Sequence, residues 1–320
     1  MNDILCFISI SWETQGTRKD KNMEIRVLRY FLAVAKEGSF TGAAAFLNVT
    51  QPTLSRQIRE LEAELGQQLL IRGSHSVSLT AEGMILRRRA EEIVDMVSKT
   101  KAEFDSMEQT VGGEIYIGSG ETDGMRLIAK VIGNLREEYP GIRCHLYSGN
   151  AQDVTERLDK GLLDFGLLIQ PTDLSKYHVI NLPHKDVWGV IMPKDSPLAR
   201  KKSITRQDLL SLPLILSRQT VQKTPAYNGF LNWFGSDFEK LNITATYNLL
   251  FNAVMLVEQG IGYALTLDKL INIRNGGSVC FRPLDPALES GLDIVWKKYQ
   301  VFSPAAKAFL TAVQKEFADR

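Results

Sequence analysis

Apolar residues recur every three or four positions in the first part of the chain, which is the spacing of one buried helix face. The pattern predicts a first helix over 25–35 that ends at Gly38, and two shorter helices joined by a tight turn within 39–66. Residues 67–80 change to a strand–turn–strand pattern with a Gly-Ser tip. Three helices and a small hairpin together predict a winged helix-turn-helix.

The last of these helices has the chemistry of a recognition helix. Ser39 and Thr50 are suited to N-cap the helix pair, because their side-chain oxygens accept from backbone N–H groups that lack partners. The predicted buried stripe of the second helix is formed by Leu54, Ile58, Leu61 and Leu65. The opposite, outward face is formed by Pro52, Ser55, Arg56 and Arg59. Such a face fits a DNA groove, and an ordinary amphipathic helix of a bundle is the alternative.

Residues 80–111 carry one long helical pattern. The seam positions alternate spacings of four and three and are, all apolar except Thr100, Leu86, Ala90, Ile93, Val97, Thr100, Phe104, Met107 and Val111. A heptad seam of this length is typical of two helices that pack along each other. We therefore expect a helix that pairs two copies of the chain, with a core helix of one globule as the alternative. Gly112-Gly113 ends it and predicts a flexible joint.

From Ile115 onward, strand and helix patterns alternate, which predicts an α/β domain with mainly parallel sheets. The predicted strands are 115–118, 143–148, 165–169, 187–192, 214–216, 245–248, 262–265 and 294–296. The predicted helices are 127–138, 152–160, 252–259 and 305–317. About 200 residues of this kind are enough for one large lobe or two small ones.

Charge is nearly balanced over the whole chain but not over its first domain. The 320 residues carry a net charge of +1, so the whole molecule is not expected to bind nucleic acid non-specifically through its charge. Residues 23–90 carry nine basic side chains against six acidic ones. This local excess suits a domain that meets phosphates and gains its specificity elsewhere.

Three widely spaced cysteines give neither a disulfide framework nor a metal motif, which favours a reducing cytoplasm. Buried, inert thiols are expected, and a redox-sensing pair of Cys144 and Cys280 is the alternative. No apolar run reaches the roughly 18 residues that span a bilayer. The short apolar run Ile4–Ile10 is a poor signal peptide. No membrane partner is therefore expected.

Residues 1–22 are expected to be an unstructured upstream extension, with Met23 as the functional initiator, because a polar tract separates the apolar run from the first periodic helix. The alternative is an N-terminal arm that touches DNA through Arg18, Lys19 and Lys21.

These segments together resemble the LysR-type transcriptional regulators from Met23 to the C-terminus. The most specific match is LRYFLAVAKEGSFTGAAAFLNVTQPTLSRQIRELEAELGQQLLIR, residues 28–72, followed by SLTAEG, residues 78–83. YPGI at 139–142, LDKGLLDFGLLI at 158–169, DSPLA at 195–199 and EQGIGYAL at 258–265 are also similar to the family's pattern.

The resemblance implies an α/β multidomain fold in three parts. A DNA-binding domain over 23–80 precedes a linker helix over 81–112 and a two-lobed effector-binding domain over 113–320, similar to type 2 periplasmic binding proteins. Lobe one is expected over about 113–184 and 286–320, and lobe two over about 185–285. It also implies a homodimer or homotetramer, promoter DNA, a small-molecule effector between the lobes, and RNA polymerase as partners.

By the same resemblance, Gln51, Pro52, Thr53, Ser55 and Arg56 match positions that meet bases and phosphates in the major groove. Arg56 suits a bidentate contact to guanine and Gln51 a pair with adenine. Arg72 matches a wing arginine that reaches the minor groove or the adjacent backbone. His75 stands where the family often has a second wing arginine, which argues against a strong second contact. Leu70 replaces the family's common aromatic residue.

The segment 118–124 contains GxGxxxG between a strand and a helix, which imitates a dinucleotide-binding loop. The next strand ends at Asn150 without the acid that a ribose hydroxyl needs, so no cofactor is expected. The same geometry favours an anionic group at the helix N-terminus, beside Ser119 and Thr122.

By resemblance, the effector contacts are Ser119, Gly120, Glu121, Thr122, Ser148, Gly149, Asn150, Ser217, Arg218 and Gln219. Arg218 suits a bidentate carboxylate contact, with a plain surface residue as the alternative. Glu121 would repel an anion or attract an amine, so the ligand's charge stays open.

No catalytic motif is present: GxSxG and HExxH are absent, and the four histidines have no ligand spacing. We therefore expect a cytoplasmic, sequence-specific DNA-binding regulator without enzymatic activity, metal or cofactor. A solute-binding or enzymatic α/β domain with a helical assembly module is the alternative.

Overall fold

The chain forms two compact units, of which the first ends at Asp95 and the second begins at Met96. The structure, a computed structural model, describes residues 23–73, 76–106, 112–221, 229–271 and 277–317. Of the helices in these ranges, none has the length and apolar character that crossing a membrane requires.

The first unit is a winged helix-turn-helix, as predicted. Its elements are α1 (Ile25–Glu37), α2 (Phe40–Leu47), α3 (Gln51–Leu65), β1 (Leu70–Arg72), β2 (Val77–Leu79) and the start of α4 (Ala81–Ser106). The two strands pair antiparallel, with Leu70 opposite Leu79. Their connection includes Gly73, while Ser74 and His75 lie outside the described residues. The prediction about His75 is therefore not addressed.

One hydrophobic core holds this unit together. Phe31 of α1, Leu54 and Ile58 of α3 and Leu70 of β1 are completely buried in it, and Leu86 of α4 packs against it. Each such side chain contributes about 1.5–3 kcal/mol when it leaves water. Since the residues come from three helices and the hairpin, the core fixes the orientation of α3 within the unit.

The local expectations for α2 and α3 hold only in part. The Ser39 hydroxyl accepts the Gly42 N–H at 3.1 Å and caps α2. Thr50 precedes α3 without a side-chain cap, because its hydroxyl bonds the Thr53 hydroxyl at 2.8 Å. The prediction of a Thr50 cap was wrong.

The buried face of α3 is also shifted from the predicted one. Leu65 is 39% exposed, since it lies in the last turn before Gly66. Ser55, expected on the outward face, is only 8% exposed. Two turns further along α3, Glu62 accepts the N–H groups of Leu69 and Leu70 at the start of the hairpin.

The apolar positions of α4 serve different purposes along its length. Leu86 and Ala90 belong to or pack against the core of the first unit. Ile93 and Phe104 are 38% and 66% exposed. Met107 and Val111 of the predicted seam lie outside the described residues.

The second unit is a mixed α/β structure. Its strands are β3 (Gly113–Ser119), β4 (Ile142–Ser148), β5 (Phe165–Ile169), β6 (Tyr177–Pro193), β7 (Ile204–Thr205), β8 (Pro213–Ser217), β9 (Asn242–Tyr247), β10 (Tyr263–Leu267), β11 (Val279–Asp285) and β12 (Glu289–Lys297). Its helices are α5 (Met125–Glu138), α6 (Ala151–Asp159), α7 (Arg206–Leu209), α8 (Arg218–Val221), α9 (Gly229–Phe234), α10 (Leu250–Glu258) and α11 (Pro304–Phe317), with 3₁₀ turns at Pro197–Arg200 and Gly235–Lys240.

The strands follow the order β4-β3-β5-β12-β6-β10-β8-β9, and β11 also pairs with β6. β3, β4 and β5 pair parallel, and so do β8, β9 and β10, whereas β6 and β12 run antiparallel to their neighbours. The sheet is thus more mixed than predicted. Its centre is β6, a strand of 17 residues whose first half the sequence pattern did not show.

Separate cores lie on the two sides of this centre. One is built around Phe165 and Phe309, and the other around Phe230 and Phe234. We call the half with β3–β5, α5, α6 and α11 lobe one, and the half with β7–β11 and α7–α10 lobe two. β6 and β12 run through both lobes.

Candidate DNA-binding face and interlobe cavity

The N-terminal half of α3 presents a polar surface to solvent. Gln51, Pro52, Thr53, Arg56 and Arg59 are exposed, as predicted for the reading face. The Arg56 side chain is 69% exposed, and its nearest charged partner, Glu60 Oε1, is 3.9 Å away. At that distance the guanidinium keeps its donors for another partner. Ser55 departs from the prediction, because it faces the protein interior.

The wing arginine is held in place before any contact with DNA. Arg72 Nη2 lies 3.0 Å from Glu62 Oε2, and the guanidinium lies over the Phe40 ring at 5.1 Å from its centroid. The other oxygen of Glu62 accepts the N–H groups of Leu69 and Leu70 at 3.0 and 3.2 Å. Glu62 therefore fixes both the start of β1 and the side chain of Arg72.

No local sequence pattern indicates this role for Glu62, because ten residues and a chain reversal separate it from Arg72. A similar long-range contact joins α4 to the hairpin. The Thr80 hydroxyl donates to the Gln68 carbonyl at 2.7 Å and accepts the Gly83 N–H at 2.9 Å. A Cβ on Gly83 would lie 2.1 Å from the Leu69 carbonyl oxygen, so only glycine fits there.

A cavity of about 150 Å³ lies in the second unit between the two lobes. Lobe one supplies the loops after β3 and β4, and lobe two supplies α8, α9 and the start of α10. Among the predicted effector contacts, those that line the cavity are Gly120, Glu121, Gly149, Asn150, Ser217 and Gln219. The predicted contacts outside the lining are Ser119, Thr122, Ser148 and Arg218.

Each of these four has another place in the structure. The Thr122 hydroxyl donates to buried Asp186 at 2.6 Å, and that of Ser119 donates to the Gly120 carbonyl at 2.6 Å. Ser148 and Arg218 are exposed. The structure thus does not bring Arg218 and the two hydroxyls together as an anion clamp.

Glu121 makes the one direct polar contact that we find across the described part of the cavity lining. Its carboxylate, from lobe one, accepts the N–H of Leu250, the first residue of α10 in lobe two. Asn150 instead serves lobe one alone, because its side chain accepts the Asp153 N–H at 3.0 Å in a capping box that begins α6.

The apolar part of the lining was missed by sequence reasoning. Trp188 packs edge-on against Phe230 with ring centroids 4.6 Å apart, and Tyr247 stands beside them in the lining. Burial raises the pKa of the Tyr247 phenol, and the nearby negative charge of Glu121 raises it further. Since these rings occupy strands and helices that read as core in the sequence, only the sheet order reveals that they face a cavity.

The two cysteines in the described residues are free thiols. Cys144 is on β4 in lobe one and Cys280 is on β11 in lobe two. Burial raises the pKa of the Cys144 thiol, which disfavours the reactive thiolate. This supports the expectation of inert thiols.

A winged helix-turn-helix followed by a two-lobed α/β domain with a cavity between the lobes defines a class of ligand-responsive DNA-binding proteins. Comparison with known sequences gives the family. The family model described as "Bacterial regulatory helix-turn-helix protein, lysR family" matches residues 25–84. The model described as "LysR substrate binding domain" matches residues 108–318. The chain belongs to the LysR family of transcriptional regulators.

Individual relatives agree along nearly their whole length. The Hca operon transcriptional activator HcaR of Escherichia coli is 32% identical over 302 residues, which cover 92% of this chain and 99% of HcaR. The transcriptional regulator AlsR of Bacillus subtilis is 29% identical over 294 residues, 90% of this chain and 94% of AlsR. These relatives are regulators, which confirms the prediction that the chain is not an enzyme.

Solved structures share the fold. Full-length CbnR, crystallised in complex with its target DNA, has a TM-score of 0.68 at 21% identity, with 92% of this chain and 99% of CbnR covered. CbnR by itself, a LysR family regulator, gives 0.70 at 20% identity over the same shares. The chain is thus a DNA-binding regulator with a helix-turn-helix domain and a substrate-binding domain.

Proposed function

We propose that this regulator reads promoter DNA with the exposed N-terminal half of α3 and with Arg72 of the wing. The observation that carries the proposal is the exposed, weakly paired guanidinium of Arg56 on a helix that a buried core holds rigidly. Arg56 would donate bidentately to a guanine and Gln51 would pair with an adenine in the major groove. Pro52, Thr53 and Arg59 would contact the neighbouring backbone.

Arg72 and Ser55 have more limited roles in this proposal. Arg72, oriented by Glu62 and Phe40, would contact the minor groove or its phosphates as a preorganised donor, which reduces the entropy lost on binding. Ser55 is buried, so its contribution to the interface would come from the packing of α3 rather than from a base contact.

The interlobe cavity is proposed as the effector site, with Gly120, Glu121, Gly149, Asn150, Ser217 and Gln219 as its polar contacts. A ligand held by both lobes stabilises one interlobe arrangement over others, and this bias is what a regulator requires.

We further propose that the DNA-binding domain covers 23–80, the linker 81–112 and the effector domain 113–320. We also propose that the protein acts in the cytoplasm and contacts RNA polymerase at the promoter.

The experiment that tests this function is fluorescence anisotropy of the purified protein on DNA from upstream of its own gene, with a scrambled competitor and a salt series. Tight binding that survives the competitor supports sequence-specific recognition. Weak, sequence-blind binding that disappears with salt would leave only phosphate attraction and would contradict the proposal.

The exposed apolar positions of α4 support a homodimer, or a homotetramer built from such dimers. Ile93 lies on this helix with 38% of its surface exposed, and Val97 lies one turn further on the same face. Replacing both, Ile93→Asp and Val97→Asp, is expected to give monomers in light scattering, because a paired seam would have to bury two carboxylates. Arg87→Ala, on an exposed part of the same helix, is the control that should leave the assembly unchanged. Intact dimers of the double variant would show that α4 is not the interface.

A further inference from the structure

The N-terminus of α10 is a place where a ligand anion is expected, and the protein already occupies it. Leu249 precedes α10 without any side-chain cap, and the N–H of Leu250 is given to the Glu121 carboxylate from the opposite lobe. The N–H groups and dipole at a helix start attract negative charge. The Glu121 carboxylate therefore accepts from the N–H group at the start of α10, a position that an anionic ligand could otherwise take.

Only one oxygen of Glu121 is used in this way. Oε2 accepts the Leu250 N–H, and Oε1 has no hydrogen-bond partner among the described residues. Because Glu121 belongs to the cavity lining, this second oxygen is available to a group inside the cavity. An ionised carboxylate is an acceptor only, so the group that suits it is a donor and, best of all, a cationic one.

The other charges in the described part of the cavity lining do not offset Glu121. Within the described ranges, the lining contains the carboxylates of Glu121 and Glu289 and neither lysine nor arginine. Glu289 is already paired with Lys185 at 2.9 Å on the exposed side. Lys269 is likewise paired with Asp268 at 3.1 Å. Among the described lining residues, Glu121 is the carboxylate without an opposite charge paired to it.

Two further carboxylates lie buried behind the cavity, and their partners are mostly uncharged. Asp186 accepts from Thr122 at 2.6 Å and lies 2.9 Å from the ring of His184. Asp293, 1% exposed, accepts from the side-chain amides of Gln170 and Asn181. Within the described ranges, neither of these carboxylates forms an ion pair with a lysine or an arginine.

The remaining walls fit an apolar body. Trp188, Phe230 and Tyr247 provide aromatic faces, and Leu267, Leu270 and Leu288 complete the wall. The volume of about 150 Å³ equals that of an engineered apolar cavity known to hold benzene. Aromatic faces also attract cations. A single ring or short chain with one positive head matches both the size and the charge.

We propose that the cleft takes a small organic amine with an apolar body, whose ammonium group binds Glu121, and that Glu121 excludes carboxylate ligands from the N-terminus of α10. This inference rests on the proposed function, in which the interlobe cavity is the effector site.

The test uses calorimetry of the full-length protein with benzylammonium, benzoate and neutral benzyl alcohol as matched single-ring probes. Benzylammonium should bind more tightly than benzyl alcohol, and benzoate should not bind. Glu121→Gln keeps the size of the side chain and an acceptor for the Leu250 N–H but removes the charge. This substitution should lower the affinity for benzylammonium about 10- to 100-fold, as expected for a lost charge-assisted hydrogen bond. It should also allow benzoate to bind.

The matched control is Glu289→Gln, which removes the other lining carboxylate and should change benzylammonium affinity by less than about 3-fold because that charge is exposed and paired. Thermal unfolding of both variants checks that they are folded. The proposal is overturned if benzoate binds the unaltered protein as well as benzylammonium does. It is equally overturned if Glu121→Gln has no more effect than the control, or if benzylammonium fails to bind at up to about 10 mM.

Fluorescence anisotropy on promoter DNA, measured with the same samples, distinguishes failure of the proposed ligand class from failure of the proposed DNA-binding function. Specific DNA binding without an amine response overturns only the ligand class and the role of Glu121. If the unaltered protein does not bind promoter DNA specifically, the proposed function itself is contradicted.

Discussion

Asp164→Asn is expected to destabilise the second unit by about 3–5 kcal/mol, because it leaves a buried ammonium without its counter-charge. Lys99 Nζ lies 2.7 Å from Asp164 Oδ1, and the two side chains are only 7% and 5% exposed. The other oxygen of Asp164 accepts the Tyr116 N–H at 2.8 Å. Asparagine keeps the volume and can still accept that N–H, so the change removes the charge and little else.

The partners that remain for Lys99 do not replace the carboxylate. They are the Gly161 carbonyl at 3.1 Å and the face of the Tyr116 ring at 5.0 Å from its centroid. A hydrogen bond to a carbonyl oxygen and a cation–π contact together compensate only part of the hydration free energy that the ammonium group loses on burial. The pair also anchors the C-terminal part of α4 to lobe one, so its loss should loosen this part of the helix.

Urea denaturation followed by tryptophan fluorescence measures the effect, because the described tryptophans, Trp188, Trp233 and Trp296, all belong to the second unit. Asp237→Asn is the control: its partner Lys240 is 2.7 Å away but 68% exposed, and such surface pairs are worth at most about 1 kcal/mol. The double variant Lys99→Met with Asp164→Asn should regain stability over the single one. Equal losses for Asp164→Asn and the control would contradict the buried-pair interpretation.

Arg56→Ala is expected to weaken specific DNA binding by about 1–3 kcal/mol, which is roughly 5- to 150-fold, through the loss of a bidentate base contact. The fold should not change, because the side chain is 69% exposed and its ion pair with Glu60 is as long as 3.9 Å. Anisotropy on promoter and scrambled DNA measures the two affinities separately. The loss should be larger on the promoter sequence.

Two further variants make this prediction specific. Arg56→Lys keeps the charge but not the planar pair of donors, so it should retain binding to scrambled DNA while specificity falls. Arg126→Ala removes an arginine from α5 in the second unit, where the side chain is 81% exposed, and should leave both affinities unchanged. If Arg56→Ala binds promoter DNA as tightly as the Arg126→Ala control does, α3 is not the recognition helix.

Most regular elements were predictable from the sequence, because helix and strand periodicities depend on neighbours within one turn or one pleat. The strand over 165–169 was predicted to the residue, and the helices α5, α6, α10 and α11 were predicted to within two residues at each end. The first half of β6 was missed, although it contains Tyr177, Val179, Ile180 and Leu182. Their pairing with β12 includes an irregularity at Gly291 that no local pattern encodes.

The candidate sites divide in the same way. The exposure of Pro52 and Arg56 was predictable because positions on one side of a helix share one surface, and Gln51 and Thr53 were added by resemblance and are also exposed. Thr122 and Arg218 were grouped with the cavity by resemblance, whereas in the structure one faces Asp186 and the other lies in solvent. The direction of a loop side chain depends on what packs against it, and the sequence does not show that partner.

The winged helix-turn-helix, the long helix, the α/β character of the second unit and the family all follow from patterns in the amino-acid sequence. Three pairings become visible only once the chain is folded: Glu62 orients Arg72, Asp164 neutralises Lys99, and Glu121 occupies the start of α10. These pairs are separated by 10, 65 and 129 positions in the chain. Periodicity reports which face of an element is buried, but the order in which strands and helices pack selects the partner of each charge.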